Sequence, residues 1–155
     1  MSIIRKLFLV KEIISKAGKV HFRRYRLLET RWFSIYVHNI LYSDEDKDPH
    51  DHPFSFLALM LWGSYLEEWL GAYEDVYYWA PPKGFGHELR KSIRSIGSIY
   101  YHPTKDFHKI TLLKPSVWTL VFAGPRTRNG WGYQTKNGWI NFKDYRQLKN
   151  EGKLK

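Results

Sequence analysis

A chain of 155 residues with 43% hydrophobic and 26% charged side chains has the make-up of one globular domain with a sizeable core. It holds no cysteine, which excludes disulfides and thiolate metal ligands and permits a reducing cytoplasm. The net charge of +10 points to anionic partners, but Lys and Arg are dispersed rather than gathered in a stripe, so sequence-specific nucleic-acid binding is not expected.

In chain order, Ile3, Ile4, Leu7, Phe8, Val10, Ile13 and Ile14 fall at near-helical spacing and Gly18 follows as a stop. That spacing predicts an N-terminal helix within residues 1–18, packed on the main body. Charges run through this apolar stretch and no small-residue cleavage site follows, so it is not read as a signal peptide. From Val20 the pattern changes to strands, VHFRRYRLL (20–28) and RWFSIYVHNILY (31–42), followed by the acidic loop SDEDKDPHDHP (43–53). FSFLALMLW (54–62), Gly63-Ser64 and YLEEWL (65–70) read as a β-hairpin with glycine first in a two-residue turn. The longest apolar run lies here and is far too short to span a bilayer, so no membrane role is expected. Further strands are predicted at DVYYWA (75–80), ELRKSIRSI (88–96), GSIYYH (97–102), HKITLL (108–113), VWTLVFAG (117–124), and GWGYQ (130–134) paired with GWINF (138–142). PPKGFG (81–86) is a loop, and residues 143–155 form a short C-terminal helix and basic tail. Short strands punctuated by turn residues predict one all-β domain, a sandwich or barrel over 20–142.

The acidic loop ends in His50-Asp51-His52. Residues i and i+2 of extended chain point to the same side. Imidazole ligands must reach within about 2 Å of an ion, so a third has to converge from another strand. The candidate is His108, in GSIYYHPTKDFHKI (97–110).

These two segments resemble the paired motifs of the cupins. The first is His-x-His with a later hairpin glycine, here His50, His52 and Gly63; the second is Gly, five residues, Pro, x, Gly, two residues, His, here Gly97, Pro103 and His108, with Lys105 where the family prefers glycine. The chain looks closest to small bacterial and phage cupin-like proteins, which also carry an HDHP segment and Trp118-Thr119-Leu120, Gly124-Pro125, Arg128 and Trp131-Gly132. The resemblance implies a double-stranded β-helix, the cupin jelly roll, holding one divalent transition metal on His50, His52 and His108. The family's usual glutamate falls at Phe56 or Leu57, neither of which binds metal. In a hairpin turning at Gly63-Ser64, Glu67 would lie opposite Met60, three or four residues or roughly 10 to 13 Å along the strand from where that glutamate falls. Glu67 is therefore left out of the site, Asp44, Asp46 and Asp48 stay open as further ligands, and Asp51 is expected to face away.

A three-histidine site without a carboxylate is similar to that of the thiol dioxygenases, so iron is preferred; zinc, nickel, manganese and copper also accept imidazole. His38 is read as an acid/base or ligand-supporting group, or alternatively as a strand histidine satisfied by backbone. His102 is a turn cap, and His21 and His87 are surface residues. Arg126 and Arg128 are candidate anchors for an anionic substrate or solvated loop charges. Tyr36, Tyr65, Tyr100 and Trp118 are candidate linings of the barrel mouth or simply core. The leading expectation is a cytoplasmic mononuclear metalloenzyme, such as an Fe(II)-dependent oxygenase with a small polar or anionic substrate, and a homodimer is allowed. The alternatives are a non-catalytic metal- or ligand-binding cupin and, third, a nucleic-acid-binding module.

Overall fold

β-Branched and aromatic residues favour extended chain, and a computed structural model, which describes residues 4–14, 18–70, 90–104 and 106–154, shows the chain mostly in strands. The strands are β1 (Ile4–Ile14), β2 (Val20–Thr30), β3 (Ser34–Ile40), β4 (Phe56–Trp62), β5 (Ser64–Leu70), β6 (Arg90–Ser95), β7 (Ile99–His102), β8 (Phe107–Leu112), β9 (Val117–Ala123), β10 (Gly132–Thr135) and β11 (Gly138–Asn141), followed by helix α1 (Phe142–Asn150). The strand and loop expected at 75–80 and 81–86, together with His87 and Lys105, lie outside the described residues.

One sheet runs β1-β2-β3-β9-β4-β7, with every pairing antiparallel. Facing it are β6-β5-β8 and the β10-β11 hairpin. The backbone at His50 bridges to His108 on β8 and to Tyr133 on β10, which joins these two pieces. Alternation decides what enters the core: Phe56, Ala58 and Met60 of β4 and Val117, Val121 and Ala123 of β9 are buried, while Leu57, Leu61 and Phe122 on the opposite face are exposed. Tyr36, Tyr65 and Tyr100 complete the cluster, with Ile110 and Leu112 of β8 packed against it.

Two expectations are corrected. The N-terminal helix is instead strand β1, paired antiparallel with β2 from Ile4↔Thr30 to Ile14↔Val20 with a register shift near each end, and tied by the Arg23–Glu12 ion pair at 2.8 Å. Its β-branched residues suit a sheet, and pairing with β2 overrides a spacing that fits either period. The β4–β5 hairpin is also absent: β4 pairs with β7 and β9, whereas β5 pairs with β6 and β8. Gly63 is thus a corner that passes the chain from one sheet to the other. It has φ +82°, and a Cβ there would lie 2.4 Å from the Ser116 carbonyl oxygen. Only glycine fits such a crossing.

The C-terminal helix forms as expected. Asn141 caps it by accepting from the Lys143 N–H, and Tyr145 is buried against Tyr133 with ring centroids 3.9 Å apart. The Tyr145 hydroxyl donates to Asp48 and that of Tyr133 to Asp46, so the helix and β10 hold the acidic loop that leads into the histidines.

Candidate metal centre

The His-Asp-His segment is clamped from behind by its middle residue. Asp51 is fully buried; its carboxylate accepts from Gly132 N–H at 2.8 Å and Trp139 Nε1–H at 2.9 Å, and Arg128 lies 2.6 Å away. Because Asp51 faces this cluster, the alternation of extended chain sends His50 and His52 the other way. There they meet His108, whose strand is bonded to the segment through reciprocal His50–His108 backbone hydrogen bonds.

His50, His52 and His108 each offer a ligand nitrogen, all within 4.8 Å of one another. His52 Nε2 and His108 Nε2 are 2.8 Å apart. Two nitrogens bound at about 2.0–2.1 Å to one ion sit only slightly farther apart than this, so a small relaxation seats a metal. Burial, opposed by the nearby Asp44 carboxylate, lowers the His50 pKa to about 4. Burial and the neighbouring His108 push that of His52 well below its ordinary value. Both rings are therefore neutral near pH 7, the form that binds metal. The donor set fits a divalent transition metal.

Glu67 enters from β5. Its Oε1 accepts from His108 Nδ1–H at 2.8 Å, its Oε2 accepts from Arg94 Nε–H at 2.8 Å, and the carboxylate is fully buried. His102 Nε2 also lies 2.8 Å from Oε1, though not aligned as a hydrogen bond. Burial alone would raise the Glu67 pKa, but the contacts with His102 and His108 outweigh it and hold the group far below the carboxylate range. An ionised Glu67 that accepts a hydrogen bond from His108 Nδ1–H keeps the proton on Nδ1 and leaves Nε2 as a bare lone pair aimed at His52. This is the carboxylate–histidine–metal arrangement that fixes a ligand's tautomer. The expected 10 to 13 Å separation failed because it assumed the β4–β5 hairpin.

These three histidines line a cavity of about 610 Å³ between the sheets. Tyr65 and Tyr100 line it, their hydroxyls hydrogen-bonded to each other. Burial raises the pKa of both, so neither phenol ionises near neutrality. His38 and Arg126 also line it; Tyr36 lies in the core beneath His38, with ring centroids 5.7 Å apart. Trp118 stacks on Tyr25 and does not line the cavity. Nor does Arg128, which donates to the backbone oxygens of His52 and Thr104 besides facing Asp51. Asp44, Asp46 and Asp48 rim the cavity, with Asp44 Oδ2 3.8 Å from His50 Nδ1. Sequence reasoning missed Glu67, Arg94 and Arg24. Only the strand partners of β5 could have placed Glu67.

The depressed histidines predict an acid-labile apoprotein. Between pH 6.5 and 4 the unfolded chain takes up a proton at His50 that the folded chain refuses, so stability is lost as pH falls through this window. His50 alone accounts for roughly 2 kcal/mol by pH 5, or about 4–8 °C in melting temperature. Calorimetry of metal-free protein at pH 7 and pH 5 checks this, and an unchanged or higher midpoint at pH 5 contradicts it.

No protein-family model matches the chain, and no curated protein matches it. Solved structures do. The Fe(II) form of HppE aligns with a TM-score of 0.55 at 12% identity, covering 75% of this chain and 56% of that one. KdgF from Halomonas sp. aligns at 0.51 and 15% identity, covering 78% and 95%. Oxalate decarboxylase from Bacillus subtilis aligns at 0.52 and 13% identity, covering 85% and 32%. The chain thus spans little more than half the length of HppE. All three are cupin-fold proteins, and the chain shares that fold. Within it, His50, His52 and His108, and likewise Glu67, His102 and His108, are grouped closely enough to hold a metal ion. No helix among the described residues is long and apolar enough to cross a membrane.

Proposed function

We propose that the chain is a mononuclear metal-dependent cupin, an Fe(II)-dependent oxygenase acting on a small polar or anionic molecule. The observation that carries this reading is the convergence of three cavity-lining imidazoles, with Glu67 fixing the tautomer of His108. The Fe(II) form of HppE among the structural neighbours is further support for iron. An ion held by His50, His52 and His108 would keep its full positive charge and leave positions open to substrate and dioxygen. The protein's part is to hold those rings rigid and neutral, and to give the substrate a walled cavity of limited size. Phe54, Phe56 and Ile110 supply apolar walls, and Arg126 stands as a cation toward an anionic substrate.

Non-catalytic metal or ligand binding is the second reading, and a specific observation favours it. Arg24 Nε–H donates to His38 Nε2 at 3.1 Å, and burial followed by the Arg24 charge lowers the His38 pKa well below its ordinary value. His38 is thus disfavoured from taking a proton at that nitrogen. With both tyrosines protonated, any chemistry would rely on the metal. Elemental analysis of the purified protein is expected to give about one transition-metal ion per chain after anaerobic iron loading. Oxygen-electrode traces over thiols, amino acids and organic acids should then show uptake only with a substrate present. Metal without uptake favours the binding reading, and no metal after loading with iron, zinc, nickel or manganese removes both.

A further inference from the structure

The same cavity holds an arginine that no carboxylate among the described residues answers. Arg24, on β2, has its guanidinium carbon 5.0 Å from the Tyr36 ring centroid and 5.5 Å from that of Phe22, with its Nε–H committed to His38. Its neighbours on β2 are each paired, Arg23 with Glu12 and Arg26 with Glu29. Arg24 has no ion pair among the described residues, and its terminal N–H groups meet no protein acceptor there. Arg126 lines the cavity from the segment after β9, likewise without an ion pair among the described residues. Burial lowers the Arg24 pKa; Tyr36 opposes this, and the charges of Arg26 and Arg126 add to it. Of the acids that line the cavity, Asp44 accepts from the Ile110 N–H, Asp46 faces Lys149 and Tyr133, and Asp48 faces Tyr145; Glu45 lines it too and makes no ion pair with Arg24.

A guanidinium drawn out of water beside a second cation, with its bidentate edge free of protein acceptors, carries a desolvation cost that the Tyr36 and Phe22 rings meet only on its face. A planar or tetrahedral oxyanion offsets it by filling the fork.

We propose that Arg24 is the primary seat for the anionic group of the cavity's ligand, a carboxylate or a phosphate-type oxyanion, with Arg126 as a secondary clamp. His38 is the positioning residue: by accepting the Nε–H it turns the terminal N–H groups of Arg24 away from itself. The occupant is a small molecule with one oxyanion end on Arg24, an apolar middle against Phe54 and Phe56, and its other end toward the three histidines. This deepens the proposed function by naming the substrate class, but the seat itself needs no metal.

Calorimetric titration of inorganic phosphate and of succinate, each into chelator-treated and iron-loaded protein in chloride-poor buffer, tests it. Saturable binding of at least one probe is expected in both forms. Arg24→Gln should weaken binding at least tenfold, Arg126→Gln about two- to fivefold, and the surface control Lys136→Gln not at all. The preferred probe distinguishes a phosphate-type from a carboxylate ligand. Arg24→Lys keeps the charge but not the fork, and should weaken binding three- to tenfold while remaining folded by circular dichroism. Unaltered affinity in both Arg24 variants, or no saturable binding of either probe to the wild type, overturns the assignment. Because the chelated arm contains no metal, a failed metal prediction leaves this result readable.

Discussion

Glu67→Gln is expected to weaken metal binding by about 10- to 100-fold and to destabilise the fold, because one carboxylate serves both ends. Its Oε1 accepts the His108 Nδ1–H while its Oε2 faces Arg94 in a fully buried position. An amide removes the charge and can present N–H groups toward donors. Leaving a buried partner uncompensated costs about 3–5 kcal/mol, which for a chain of this size is roughly 6–20 °C in melting temperature. The two roles can be separated. Arg94→Leu combined with Glu67→Leu replaces the ion pair by apolar volume and should recover much of the stability, since such exchanges are often near neutral. Metal affinity should stay low, because nothing then holds the His108 tautomer. Calorimetry and chelator competition read the two quantities. If Glu67→Gln kept metal affinity within twofold of wild type, Glu67 would be a structural ion pair and not a positioning residue.

The strands of this fold were legible where alternation and turn residues coincide, as in β3, β4, β9 and the β10-β11 hairpin. Pairing was not. Gly63-Ser64 has the sequence of a hairpin turn, and nothing local says that the chain leaves the sheet there. That difference placed Glu67 at 2.8 Å from His108 rather than at the far end of a neighbouring strand. The N-terminal segment failed for a related reason: its apolar spacing fits a helix, and only the presence of β2 as a pairing partner selects the strand. The structure brings together His50, His52 and His108, which i, i+2 geometry and motif spacing single out in the sequence. Arg24 carried no signal, since in the sequence it is one of several basic residues on β2. What singles it out is the absence of a facing carboxylate among the described residues, a property of the fold alone.

His108 belongs to two overlapping ligand clusters, His50–His52–His108 and Glu67–His102–His108, so its own loss cannot tell them apart. His108→Ala is expected to weaken metal binding more than a hundredfold in either case, since it removes a ligand outright. His52→Ala and His102→Ala separate the two. Around Glu67 the contact with His108 is complementary as it stands, an N–H against a carboxylate oxygen, and Arg94 already balances the other oxygen. A divalent ion there would sit beside that guanidinium, and neither Glu67 nor His102 lines the cavity. Between His52 and His108, two Nε2 atoms face each other at 2.8 Å, where at most one proton can mediate and two lone pairs favour a cation. The geometry therefore predicts that His52→Ala loses metal as completely as His108→Ala. His102→Ala should stay within about tenfold of wild type, as expected of a residue outside the ligand set. His21→Ala, on β2 and away from both clusters, should leave affinity unchanged. Chelator competition on the iron- and zinc-loaded variants measures this ordering. A His102→Ala protein stripped of metal beside a His52→Ala protein that keeps it would move the ion to Glu67 and take it off the cavity wall.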